Sequence, residues 1–316
     1  RHPAHAAASG PEHTPPARQV AMPPDDGRGP RIHRDVEQTR QSIAEFSPKD
    51  AESYRAMHHR FDEMMKHILG PQTYVPMEGA LDQAAKAEMT ELGREVSAYA
   101  EKTPQDIVCD LFENDQVRTL MLYMACHWGL EYDAAGVSYM VPIYLNRMAN
   151  YRLTAGGSHR VSNALLKSIF EHQGQIRTGA QVERILVEGG EARGVVLKDG
   201  TQLLAEKAVV STIDLHQTFL EYVGEDNLDP VFADSIRAWE WEEWSLCNLH
   251  LALAEPPRFK AAERRPEIDQ AFIYILGYES MDQLTGHWDA MRSGRIPDGA
   301  GCNGCFPSVH DSYQAP

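Results

Sequence analysis

Positive charge is scarce in this sequence. Against 46 Asp and Glu there are 30 Lys and Arg, a formal net charge of -16. A nucleic-acid surface needs clustered cations to displace counterions, so that class is excluded. Docking by charge on an anionic membrane face is excluded for the same reason. No uninterrupted apolar run reaches the roughly 18 residues of a spanning helix. Five cysteines in 316 residues are too few for a disulfide scaffold and suit a reducing, cytoplasmic compartment. There is no G-x-S-x-G, no clearly placed carboxylate pair and no nucleophile with a nearby base. What remains is ample apolar content, 42%, over a length that fits about two domains of roughly 150 residues.

The chain opens Arg1-His2-Pro3-Ala4, and seven of its 19 prolines fall within the first 30 residues. This has neither the apolar core of a signal peptide nor the face of a transit helix. Residues 1–30 are expected to be irregular or disordered. Helical patterning begins at Asp35. Ser47-Pro48-Lys49-Asp50 combines a cap, a first-turn proline and an acid at the positive end of the dipole. Tyr54, Met57, Phe61, Met64, Met65 and Ile68 follow as a stripe, stopped by Gly70-Pro71. Residues 82–101 read as one polar helix. Thr103-Pro104-Gln105-Asp106 repeats the start signal, and Val117 to Trp128 reads as a buried helix. Residues 31–150 are thus a helical layer.

Near residue 152 the pattern changes. Ala155-Gly156-Gly157-Ser158 is a glycine turn before an amphipathic helix carrying Val161, Leu165, Ile169 and Phe170. Short strands are predicted at 176–178 and 182–187. Gly189-Gly190 makes a hairpin to 194–197, and Asp199-Gly200 makes a further turn. The apolar, β-branched run 207–211 reads as a buried strand. Helices follow after Asp214 and at 231–239. Strands are expected at 245–254, 271–278 and 301–309, with a helix at 280–292. The predicted class is mixed α/β. Taken physically, 156–213 is a crossover packed beside a sheet. That order also fits an ordinary αβ unit with no ligand.

The stretch "GGSHRVSNALLKSIFEHQGQIRTGAQVERILVEGGEARGVVLKDGTQLLAEKAVVSTID" resembles the central segment of phytoene-desaturase-like FAD oxidoreductases. It resembles in particular the branch that includes pyridine nucleotide-disulfide oxidoreductase domain-containing protein 2. "DVEQTRQSIAEFSPKDAESYRAMHHRF" and "GRIPDGAGCNGCFPSVHDSYQAP" fit the same branch in the same order, so the resemblance covers roughly residues 30–316. It implies a partial FAD-binding Rossmann-like domain at 151–214. It implies a helical and antiparallel-sheet substrate domain at 31–150 and 215–316, over an apolar cavity. The cofactor contacts it implies are Val182 by its backbone, Ser211 and Thr212 at a strand end, and the turn Gly156-Gly157. No catalytic residue is implied. The expected partner is an apolar, isoprenoid-like substrate, with no nucleic acid and no transmembrane segment. Peripheral membrane contact is compatible with it, and oligomeric state is left open. The chemistry would be desaturation, dehydrogenation or isomerisation, with the cofactor supplying the reactivity.

Two family features are not found. No G-x-G-x-x-G follows a strand to open a helix, and 189–194 is a hairpin turn. The glycine-rich C-terminal segment of the family is not in the sequence. The chain is therefore expected to be an internal portion of a longer protein. The alternatives are a non-catalytic interaction module that keeps the fold, or a C-x-x-C thiol or zinc protein. Cys302-Asn303-Gly304-Cys305 lies among Gly301, Gly304 and Pro307, which argues a loop or strand end rather than a redox helix. A zinc site needs a second ligand pair. Cys247 and His250 would point to opposite faces of a strand. His59, Glu63 and His67 share a helix face, more simply a solvated one. Trp239, Trp241 and Trp244 alternate with Glu240, Glu242 and Glu243, as a core edge, a lid or an interaction surface. Met57, Met64, Met65, Met121, Met124 and Met140 suit a core or a plastic pocket.

Overall fold

A computed structural model describes residues 11–23, 28–76, 79–241, 245–299 and 301–314. Two compact units form: Arg1–Leu165 with Leu246–Pro316, and Leu166–Ser245. The architecture is mixed α/β with small sheets.

In the larger unit the helical layer holds α1 (Val36–Ala44), α2 (Pro48–Met64), α3 (Gly70–Gln72), α4 (Ala80–Glu88), α5 (Glu91–Ala100), α6 (Pro104–Leu111), α7 (Asp115–Cys126) and α8 (Val141–Arg147). The start signals act as read. Ser47 Oγ accepts the Asp50 N–H at 3.1 Å, and Thr103 and Asp106 form a reciprocal capping box. The stripe on α2 is the core: Tyr54, Phe61 and Met64 are fully buried with Leu120, Met121, Met124 and Leu145. Gly70-Pro71 does not stop the helix. Pro71 has no N–H and its ring would crowd the preceding turn. The chain widens into a π-helical turn over Met65–Leu69 and continues through α3. The predicted single helix 82–101 is two. Thr90 caps α5 by accepting the Gly93 N–H at 2.9 Å. The backbone of Ala87 lies where a Cβ on Gly93 would sit.

The sheet of this unit corrects the expectation for residues 1–30. There β1 (His13–Thr14) and β2 (Arg18–Ala21) form, followed by β3 (Arg31–His33) and β4 (Leu153–Thr154). With β8 (Ile273–Leu276) and β9 (Cys302–Cys305) the order is β3-β2-β8-β9, while β1 pairs β4. The β2–β8 pair is parallel and the others antiparallel. Gln19, Val20 and Ala21 are buried. Proline content hid a short, buried strand whose partner lies some 250 residues on. Residues 1–10, at the chain start, lie outside the described residues. Over one sheet face, Phe259 stacks on Tyr274 at 4.5 Å, beside Phe306, Ile268 and Ala261. Helices α11 (Met281–Arg292) and α12 (Pro307–His310) flank the strands.

The smaller unit holds β5 (Val182–Glu188), β6 (Glu191–Leu197) and β7 (Gln202–Leu204) in an antiparallel meander. Gly189 and Gly190 both take positive φ, as the two-residue hairpin demands. A π-helical segment, His216–Gly224, packs against β5, and α10 (Pro230–Arg237) packs on that segment. Helix α9 (His159–Glu171) runs across the division between units and buries none of its residues. Phe170 is 59% exposed.

Three predicted strands are corrected. Residues 176–178, 207–211 and 245–254 make no ladder. Val210 is 84% exposed, and Leu246, Leu249, Leu251 and Leu253 are exposed as well. An apolar or β-branched run becomes a strand only beside a neighbour that pairs with it.

Candidate functional site

The five residues implied as cofactor contacts fall in separate units. In the smaller one, Val182 opens β5, half-buried, with its backbone in register with Leu197. Ser211 and Thr212 are exposed. The Ser211 hydroxyl lies 2.7 Å from the Thr218 hydroxyl, and Thr218 donates to the Ile213 carbonyl at 3.2 Å. These bonds fix the 211–213 bend on the π-helical segment. In the larger unit, Gly156 and Gly157 take φ of 76° and 101°. The Gly156 N–H donates to Asp311 Oδ2 at 2.6 Å. That bond holds the Asp311 carboxyl below the ordinary carboxylate range.

These placements limit what a dinucleotide could find. A phosphate needs free amides and positive potential. The Gly156 amide is already held by a carboxylate, which repels phosphate. Nor do Val182, Ser211 and Thr212 supply a cation for a phosphate.

One glycine run was missed in the sequence. Gly299-Ala300-Gly301-Cys302-Asn303-Gly304 has dinucleotide spacing, but it leads into β9 rather than from a strand into a helix. Gly301 instead packs on an aromatic ring: a Cβ there would overlap Tyr278. Around it lies a group of aromatic and titratable side chains. Tyr278 tilts on Tyr123 at 5.6 Å, and Tyr123 stacks on His127 at 5.8 Å. Tyr278 meets His287 edge-on at 5.4 Å. Burial pushes the Tyr123 hydroxyl up to about 12 and Tyr278 higher still. It lowers His127 and His287 below the ordinary histidine value. Both imidazoles therefore favour the neutral form at pH 7. The cluster is uncharged and aromatic, with Tyr123 and Tyr278 buried and with half-buried His127 and His287 and exposed Trp128 and Cys302 at its edge. The signal for it, Tyr123-x-x-x-His127-Trp128, was legible only as part of a buried helix.

The remaining candidates resolve structurally. Cys302 and Cys305 are exposed on β9. Among the described residues no group of His, Cys, Asp and Glu is placed to hold a metal ion. His67 pairs with Glu63 at 3.4 Å on an exposed helix face. Met57, Met64, Met121 and Met124 are core. The Trp241 indole donates to His216 Nδ1 at 3.2 Å. Glu242, Glu243 and Trp244 lie outside the described residues. No described helix is long and apolar enough to cross a membrane.

No family model matches the chain. It is 34% identical over 300 residues to a limonene dehydrogenase polypeptide of Castellaniella defragrans, covering 92% of this chain and 54% of that protein. A lycopene-forming phytoene desaturase of a Paracoccus species is 26% identical over 227 residues, 71% of this chain and 43% of the relative. Hydroxyneurosporene desaturase of Cereibacter sphaeroides is 26% identical over 303 residues, 87% of this chain and 55% of the relative. The chain spans about half the length of the curated relatives it matches. It is homologous, over most of its own length, to this limonene dehydrogenase polypeptide and to the carotenoid desaturases of the phytoene-desaturase-like group.

Proposed function

We propose that this chain is part of an FAD-dependent oxidoreductase that dehydrogenates or desaturates an apolar, isoprenoid-like substrate. The observation that carries this is the 34% identity to the limonene dehydrogenase polypeptide along 92% of the chain. Two relatives named for desaturation of carotenoids support the substrate class. Bound FAD would supply the hydride acceptor, and the protein would supply binding and exclusion of water.

Within that reading, Val182, Ser211 and Thr212 contact the adenosine side of the cofactor. The Gly156-Gly157 turn directs α9 toward the flavin-binding part. A location on the cytoplasmic side, touching a membrane peripherally, suits an apolar substrate.

The test is to purify the protein that carries this chain after adding FAD and to record its visible absorbance. A flavin spectrum that bleaches on anaerobic addition of limonene or a carotenoid precursor supports the reading. A preparation that takes up no flavin refutes it. Ser211→Asp, which sets a negative charge at the nucleotide face, is expected to lower flavin content.

A further inference from the structure

The imidazole of His287 joins two parts of the larger unit through a single nitrogen. Its Nδ1 lies 3.3 Å from the Tyr278 hydroxyl and 3.4 Å from the Gly301 N–H. A backbone N–H can only donate, so Nδ1 must be the unprotonated nitrogen. The hydroxyl rotates to donate to the same lone pair. The ring proton is thereby assigned to Nε2, which faces Met291 Sδ at 3.2 Å. Gly301 meanwhile lies flat on the Tyr278 ring, in space that no side chain could share. One neutral imidazole thus ties the end of β8, helix α11 and the start of β9.

We propose that His287 is a proton-operated latch, closed on Gly301 when neutral and released from it when protonated. A proton on Nδ1 would face the Gly301 N–H and remove its acceptor, while the Tyr278 hydroxyl can turn to accept that proton. The Gly301 bond would break, and the Gly301 backbone would lift from the Tyr278 ring. The surrounding groups do not offset the new charge. Met291 faces the imidazole from α11 itself, and Tyr278 faces it from the end of β8. Behind Tyr278 stand Tyr123 on α7, stacked on His127, and Cys302 on β9. Among the described residues no carboxylate bonds to His287. Burial already disfavours its charged form. The latch does not depend on the function proposed above, since it uses only this chain's own contacts.

The experiment follows the Gly301 amide and the His287 imidazole in the same sample by NMR, from pH 8 to pH 4.5. After correction for intrinsic exchange, Gly301 is expected to exchange about tenfold faster once His287 is protonated. The two midpoints should coincide. His287→Asn keeps an acceptor near the Nδ1 position and carries no charge, so its Gly301 protection should stay flat with pH. Tyr278→Phe removes one donor and should leave a step at the His287 midpoint. An unchanged Gly301 amide across the His287 titration overturns the proposal. So does a step that follows a different histidine, or one that persists in His287→Asn. If His287→Asn does not fold, the coincidence of midpoints in the unaltered protein decides alone.

Discussion

The carboxylate of Asp50, at the start of α2, accepts the backbone N–H of Asn114 at 2.8 Å, just before α7 begins. Its other oxygen accepts the Glu113 N–H at 2.8 Å. The side chain is fully buried. In the sequence Asp50 read as an acid complementing a helix dipole. In the fold it also ties the origin of α7, some 60 residues on, to that of α2. Asp50→Asn keeps the shape but turns one acceptor into a donor facing an N–H. We expect a loss of about 3 kcal/mol, typical of a charge-assisted bond broken in a buried site. Urea denaturation of the two proteins measures it.

Two helical glycines should respond in opposite directions. On α11, a Cβ at Gly286 meets nothing. Gly286→Ala should stabilise by about 1 kcal/mol through helix propensity. On α5, a Cβ at Gly93 would overlap the Ala87 backbone. Gly93→Ala should destabilise by about 2 kcal/mol, because backbone must move to admit it. Thermal unfolding of the pair gives the two signs directly.

Acid should destabilise the chain in two stages. His33, His58, His127 and His287 all titrate below the ordinary histidine value, with burial the first cause in each. The unfolded chain then binds more protons than the folded one between the folded and unfolded values. The contribution is complete above about 6.5 and is lost as pH falls from there through the folded values. Glu45, held down by Arg265, and Asp133, held down by Arg292, add a second loss at lower pH. Their contribution is present above the unfolded carboxylate value and disappears as pH falls through the folded one. Urea midpoints between pH 8 and pH 3 should show both descents. A midpoint that rises from pH 7 to pH 5 would contradict the first.

Thiol chemistry should separate the five cysteines. Cys247, Cys302 and Cys305 are exposed, whereas Cys126 is buried and its thiol is pushed up by that burial. A thiol reagent on the folded protein should label three residues quickly, Cys109 more slowly and Cys126 only on unfolding. Cys302 and Cys305 sit three apart on a strand, about 10 Å along it. That is beyond disulfide reach. Mild oxidation should leave them unbridged to each other, as mass spectrometry of the peptide can show.

The helical half of the fold was legible because its signals are local. Ser47 and Thr103 reach only three residues ahead, and the Tyr54–Met57–Phe61–Met64 stripe depends on one helix's own period. The hairpin at Gly189-Gly190 is equally short-ranged. Of the candidate site, the residues Val182, Ser211, Thr212, Gly156 and Gly157 came from resemblance. Spacing alone would have left an αβ unit without a ligand.

The sequence by itself determined the acidic, apolar-cored character of the chain, its helix starts and its tight turns. Tertiary structure decided the strands. Arg18–Ala21 became β2 because β8, from the far end of the chain, completes its ladder. Residues 207–211, richer in β-branched character, stayed exposed without a partner. Tertiary structure also decided that Gly301, Tyr278 and His287 share one nitrogen's lone pair. A helix closes its hydrogen bonds within itself, so its code is local. A strand or a shared acceptor is completed by distant chain, and no window of sequence contains it.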